Sequence, residues 1–375
     1  MSFRFSGNNN TRQSFAHPVN SIVRSQRGAA LILALLVVVI VTLLASTLGS
    51  DFLVTYKRVE NQLLSKQAFA LLRGAEGIAR STLQTDLQLG KDVDHASEGW
   101  LNVQQEFPLD QGMISGTLCD LQGRFNLNSL SGANSAGEFT FTQAIFVRLL
   151  QSITFPNGEL LDQQQAESIN NAIGDWIDSD SDERENGGAE NNYYGDLEVS
   201  YRSANRKFLS VSELLWVKGI DEAIFKALEP HVTALPDSAV INVNTAGSVI
   251  IRSINALDDL QPISESETEA IINARDSSFG STRIAGSNYS EISGFSAVSD
   301  FIEAHPAESL DGSGLGIDSA FFLLDATIQF LDRKFRMYSV LYRDQASGKI
   351  TTIARASNGL GKCYAFSAED DSDSA

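Results

Sequence analysis

The sequence predicts an α+β protein: one long N-terminal helix, antiparallel β segments early and late in the chain, and a large, mostly helical region inserted between them. Three observations carry this. Residues 29–48 contain no charge, and the apolar pattern beyond them becomes one-sided. The stretches "GMISGTLCDLQGRFNLNSL" (112–130) and "FFLLDATIQFLDRKFRMYSVLYRDQASGKITTIARAS" (321–357) carry strand patterning and turn signals, Gln122-Gly123 in the first and "DQASGK" in the second. Residues 131–319 instead show helical periodicity broken by acidic loops.

The helix comes first. Twenty uncharged residues from Ala29 make about 30 Å at ~1.5 Å per residue, enough to cross a bilayer core. A secretory signal usually has an apolar region of ~7–15 residues and a small-residue cleavage site, which "LASTLGS" with Ala45 and Thr47 offers. The residues beyond Leu48 argue for a retained helix. Phe52, Tyr56, Val59, Leu63, Leu71, Leu72, Ala75, Ile78, Ala79 and Leu83 recur at steps of three and four, and no proline lies between Pro18 and Pro108. Gly74 and Gly77 weaken such a helix only modestly. One helix over 29–86 is expected.

Arg24 and Arg27 precede the apolar run, with Gly28 at the join. Positive charge there keeps that end cytoplasmic and places the rest of the chain outside. The whole chain has a net charge of −19, and without residues 1–28 it keeps 24 basic against 47 acidic residues, a net of −23. Such a surface repels nucleic acid and anionic lipid and attracts hard cations.

The acid is densest in "IGDWIDSDSDERENGGAENNYYGD", residues 173–196. Asp178, Asp180 and Asp182 have the i, i+2, i+4 spacing of an EF-hand loop. Glu183 then stands where that loop needs Gly, and Ala189 where it needs the terminal Glu, which is displaced to Glu190. The residues alone leave two readings: a solvated acidic loop, or a calcium loop of another kind, with Asp175, Asp178, Asp180, Asp182 and Glu190 as candidate ligands. Calcium suits such a set because it takes six to eight oxygens in flexible geometry, whereas magnesium keeps several waters. Trp176, Ile177, Tyr193 and Tyr194 would anchor the loop to a core.

"LSVSELLWVKGIDEAIFKAL" (209–228) and "INVNTAGSVIIRSINALDDLQPISESETEAIINARDSSFGS" (241–281) have the pattern of helix-hairpin-helix units. Asp221 and Glu222 directly follow Lys218-Gly219, and the second segment is acidic, so phosphate would be repelled. They read as packing units, with Asn242, Asn244 and Thr245 as turn and cap residues. No G-x-S-x-G, H-E-x-x-H or P-loop occurs, and no His lies near the acidic cluster. No enzyme is expected. Cys119 and Cys363 are free thiols or a disulfide, which an oxidising compartment permits. Residues 367–375 read as a disordered acidic tail.

A polar basic leader ending in Gly, followed by an abrupt apolar helix that runs on as an amphipathic one, resembles the type IV pilin-like proteins. Leu33 stands where most of them carry Glu, and "DLQGRFNLNSL", "DWIDSDSD…GAENNYY" and "VINVNTA" resemble the K-type minor pseudopilins of type II secretion. That resemblance implies cleavage by prepilin peptidase between Gly28 and Ala29 and N-methylation at Ala29. It implies a pilin-like domain from residues 87–130 and 320–366, with a helical domain, 131–319, inserted and binding calcium. It further implies a single-pass protein of the bacterial inner membrane, with its bulk periplasmic. Assembly would be with I- and J-type minor pseudopilins at the tip of a pseudopilus, where Leu33 replaces a Glu that would have no partner. No nucleic-acid partner is expected. The alternatives are a minor pilin of a type IV or DNA-uptake pilus and a membrane-tethered metal-dependent hydrolase.

Overall fold

The computed structural model describes residues 27–88, 93–101, 104–109, 112–131, 139–155, 158, 160–236, 239–277, 294–307, 309–330 and 333–364. The expected leader up to residue 26 and the acidic tail lie outside them.

Helix α1 runs unbroken over Arg27–Gln88, and two compact units divide at Leu64/Ser65. In the first unit the aliphatic side chains are exposed all round, Leu33 at 66%. Among the described residues α1 is the one helix long and apolar enough to cross a membrane, with a mean hydropathy of 3.0 over an 18-residue stretch. Its few hydroxyls do not oppose this. Thr42 and Thr47 donate to the carbonyls of Val38 and Leu44, at 2.7 and 2.9 Å, so their polarity is satisfied within the helix.

The second unit begins at Ser65. Strands β1 (Gln105–Leu109), β2 (Gly112–Asp120) and β3 (Phe125–Asn126) precede helices α2 (Phe141–Ser152), α3 (Gln163–Ile177), α4 (Asn191–Gly195) and α5 (Glu222–Leu228). Then come β4 (Val232–Thr233), β5 (Ile241–Asn242), α6 (Ser248–Ser253), α7 (Glu265–Ser277), α8 (Val298–Ala304) and β6 (Leu315–Gly316). The chain closes with β7 (Phe321–Phe330), β8 (Arg333–Arg343) and β9 (Ile350–Ala356).

The early and late β segments form one antiparallel sheet, ordered β1-β2-β7-β8-β9, with Ile114 opposite Ile328 and Cys119 opposite Leu323. Alternation sorts its two faces. Ile114, Leu118, Phe322, Leu324, Ala326, Ile328, Met337 and Leu341 pack with Ala68, Leu72, Ala79 and Leu83 of α1. Cys119, Phe321, Leu323, Tyr338 and Val340 face the other way, against Leu121 and Leu235. Cys119 is bonded to Cys363, with Cα atoms 5.7 Å apart.

The helix seam is narrower than the predicted stripe. Leu71 and Ile78 are exposed, while Ala68 and Leu72 are fully buried. The seam also holds a carboxylate: Glu76 is 1% exposed. Arg355 donates to it twice, at 2.6 and 2.8 Å, and Thr352 and Ser339 donate at 2.6 and 3.2 Å. Thr352 and Arg355 reach the same face although they are three positions apart, an odd step that would normally put them on opposite faces. Val340 pairs with Ala354 and Leu341 with Thr352, so Ile353 is an extra residue that reverses the alternation.

The inserted region has its own core, which includes Phe125, Leu127 and Leu130. The crossing from sheet to insertion therefore falls near Gln122-Gly123, earlier than the expected boundary at 130. A Cβ on Gly123 would sit 2.7 Å from the Thr245 carbonyl oxygen, so only glycine allows that backbone approach. Asn242, Asn244 and Thr245 form a turn, with Asn244 N–H donating to Asn242 Oδ1 at 3.0 Å. They also tie distant segments: Asn242 donates to Asp94 O and Ser319 Oγ, Asn244 brackets Phe295, and Thr245 donates to Asp120.

The two helix-hairpin-helix expectations need correction. In the first, the leading helix is a 3₁₀ turn, Val211–Trp216, leading through Gly219 at φ +84° to α5. Ser210 and Glu213 form a capping box on it, which holds a tight turn, and Val217 ends it in extended conformation. In the second, residues 254–264 separate α6 from α7, so no hairpin turn exists. "DDLQPIS" makes its own turns there, Gln261 N–H donating to Asp259 Oδ1 at 2.9 Å. Residues 278–281 of that segment lie outside the described residues.

Candidate metal centre

The acidic loop is built between α3 and α4. Asp162 and Gln165 start α3 with a reciprocal capping box, and Asp178 ends it by donating its N–H to Gly174 O. Trp176, Ile177 and Tyr194 are buried in the inserted core, whereas Tyr193 is exposed. Trp176 and Tyr194 meet edge to face at 5.2 Å. The loop thus leaves and re-enters on anchored aromatic residues.

Its interior is organised by Asp175, which is fully buried. One Asp175 oxygen accepts from the N–H groups of Ala189 and Arg184, at 2.8 and 3.2 Å. The other lies 3.3 Å from Arg184 Nε. The return at residues 186–188 needs glycine. Gly187 has φ +109°, and a Cβ on Gly188 would stand 2.5 Å from Arg184 O and 2.7 Å from Arg184 N. Burial pushes the Asp175 carboxyl up to about 6 against its backbone donors and Arg184. Asp175 is thus the loop's scaffold.

Asp178, Asp180 and Glu190 each bring a carboxylate oxygen within 4.8 Å of the other two. Their other bonds orient them. Asp178 Oδ2 accepts from Arg184 Nη2 at 3.0 Å. Asp180 Oδ1 accepts from Asp182 N–H at 3.0 Å. Glu190 caps α4 through Asn191 N–H and accepts from Ser203 Oγ, at 3.2 and 3.0 Å. Glu190 is 3% exposed, and Glu190 Oε1, Asp178 Oδ1 and Asp175 Oδ1 have no hydrogen-bond partner among the described residues. Burial raises the pKa of Asp178 and of Glu190, and neighbouring carboxylates add to it. Converging, partly desolvated carboxylate oxygens without donors fit a hard cation.

Of the five predicted ligands, three therefore converge, Asp175 stands behind them, and the Asp182 carboxylate is outside the group. Sequence reasoning missed Arg184, Ser203 and Asn205, whose side chain donates to Asp180 O at 2.8 Å. A lone arginine in "SDSDERENGG" was the available signal. Lys218 of the first hairpin is committed to this loop: it donates to Gly188 O at 2.9 Å and lies 4.8 Å from the Tyr193 ring centre.

A second carboxylate group comprises Asp86, Asp94 and Glu98, all buried. It contains its own cation. Arg343, 1% exposed, pairs with Asp94 and lies 3.5 Å from Asp86.

Comparison with known proteins fits this architecture. The sequence profile of "Type II secretion system (T2SS), protein K" matches residues 123–237. Type II secretion system protein K of Pseudomonas aeruginosa is 31% identical over 341 residues, covering 88% of this chain and 93% of that protein. The protein K of Pectobacterium carotovorum is 32% identical over 255 residues, covering 67% and 75%. Among solved structures, a chain of the GspK-GspI-GspJ complex of enterotoxigenic Escherichia coli shares the fold, with a TM-score of 0.64 and 24% identity over 80% of this chain and 98% of that one. A single apolar N-terminal helix, a sheet that it covers, a helical insertion and likeness along nearly the whole chain lead to one conclusion: this is a membrane-anchored member of the type II secretion system protein K family, a minor pseudopilin.

Proposed function

We propose that the protein caps the tip of a type II pseudopilus, anchored before assembly in the bacterial inner membrane with its bulk in the periplasm. It would be cleaved between Gly28 and Ala29, N-methylated at Ala29, and assembled with I- and J-type minor pseudopilins. Its work is assembly and contact, without turnover. The observation that carries this is α1: its first part exposes apolar side chains all round, Leu33 included, and family membership supplies the machinery. A carboxylate at position 33 would be costly in hydrocarbon without a partner, and a subunit with none above it has no group to pair with one. N-terminal sequencing of the membrane-extracted protein should start at Ala29, and Gly28→Val should accumulate as precursor. A start after Ala45 or Thr47 would mean an ordinary signal peptide.

The triad Asp178, Asp180 and Glu190 is the calcium site of this reading. Oxygens on Asp178 and Glu190 that meet no hydrogen-bond donor among the described residues support it. Bound calcium would cross-link the end of α3 to the start of α4, and binding to the folded state alone stabilises by about 2.7 kcal/mol at a hundredfold excess over Kd. The protein should melt at lower temperature in chelator, and Asp178→Ala with Asp180→Ala should erase the difference. Identical melting with and without chelator in the wild type would leave a solvated loop.

A further inference from the structure

Arg184 is fixed at both ends. Its N–H donates to Asp175 Oδ2, and its carbonyl accepts from Gly188 N–H at 3.2 Å. Its guanidinium lies against the α3 backbone at Gly174, where a Cβ would meet Nη1 at 1.9 Å and Cζ at 2.3 Å. From that seat it approaches Asp175 through Nε and Asp178 through Nη2. Its side chain is 18% exposed, so water screens it poorly. Asp178 is shared: one oxygen holds the guanidinium, while the carboxylate also belongs to the triad with Asp180 and Glu190.

We propose that Arg184 is a built-in counter-ion that holds the acidic loop together without calcium and, by competing for Asp178, sets how weakly calcium binds. The inference rests on the calcium site proposed for Asp178, Asp180 and Glu190. One guanidinium thus has two effects of opposite sign. Without the metal it neutralises carboxylates that would otherwise repel one another. With the metal it places a positive charge beside a divalent cation on the same carboxylate. A residue that merely holds the loop's shape would act in one direction only, since its loss would impair both the fold and the binding.

The test uses full-length protein in detergent micelles, titrated calorimetrically with calcium chloride and melted in chelator and in calcium. Arg184→Gln keeps a hydrogen-bonding side chain and removes the charge. It should bind calcium about tenfold or more tightly, melt lower than wild type in chelator, and regain wild-type melting in calcium. Calcium binding to Arg184→Gln that is equal to wild type or weaker, with the same melting deficit in both conditions, would overturn the competition and leave the calcium reading intact. Absence of calcium binding to both proteins at millimolar concentration would instead overturn the calcium reading, and this inference with it. If Arg184→Gln does not fold, Arg184→Lys serves. It keeps the charge but lacks the planar fork that spans both carboxylates, so it should tighten binding by a smaller factor, and unchanged affinity would count against the proposal.

Discussion

Two carboxylate groups in this protein each meet one arginine, and they are built in opposite senses. Around Arg343 the cation is interior. It pairs with Asp94 and Asp86, donates to Ser319 O at 2.7 Å, and its Cζ lies 4.8 Å from the Phe322 ring centre. In the acidic loop Arg184 stands at one edge, next to Asp175 and Asp178, and three carboxylates beyond it share a focus. The first group joins the sheet to the end of α1 and to the segment after it. Both groups hold more carboxylates than arginines. Charge count alone does not separate a structural node from a metal centre; the position of the cation within the carboxylates does.

The largest effect comes from breaking the interior node. Arg343→Met strands buried carboxylates and should cost about 3–5 kcal/mol, read from denaturant unfolding; a loss below about 1 kcal/mol would show that water already compensates Asp86 and Asp94.

Glu76 sharpens the comparison, being a buried carboxylate whose arginine, Arg355, is 43% exposed. Burial pushes its pKa up, but hydrogen bonds from Arg355, Thr352 and Ser339 and the charge of Arg355 outweigh that and hold it at about 2, against an ordinary 4.5. The folded pKa is the lower one, so the ionised carboxylate adds stability above about pH 4.5 that is lost as pH falls toward 2. Glu76→Gln should cost about 2 kcal/mol at pH 7 and flatten the dependence of stability on pH across that window; a variant as steep as wild type there would assign the acid sensitivity to other carboxylates.

The smallest effect belongs to Asp180, which is exposed, adds like charge beside Asp178, and accepts one N–H, from Asp182, that an asparagine Oδ1 can also accept. In chelator, Asp180→Asn should leave stability within about 0.5 kcal/mol of wild type, on the stabilising side, while the response to calcium disappears. A clear loss of stability in chelator would make Asp180 part of the scaffold, like Asp175.

The long helix and the strands were legible because their signals are local. An uncharged run of 20 residues sets α1, and alternation in 321–343 sets β7 and β8. The acidic loop was legible as composition, and its convergence on Asp178, Asp180 and Glu190 was not. That focus depends on Asp175 drawing in the N–H groups of Arg184 and Ala189 and on the glycine return. The node at Arg343 was hidden because its partners lie some 250 residues away in sequence. The carboxylate in the α1 seam was hidden because Glu76 at an a/d-like position looks like a break in the stripe until Arg355 is brought over it. The α6–α7 hairpin failed because two short apolar helical runs do not specify the length of the turn between them.

The bond between Cys119 and Cys363 also sets a load path. The two sulfurs lie 244 residues apart in sequence, and the whole helical insertion falls between them. Traction applied from α1 to the end of the chain passes from β2 straight across the bond. Residues inside the covalent ring cannot be drawn out, which withholds roughly 800 Å of contour length. The insertion and its acidic loop thus ride on the sheet as cargo, mechanically bypassed while the bond is closed. Pulling the protein between residues 65 and 364 should show that extra extension only after reduction.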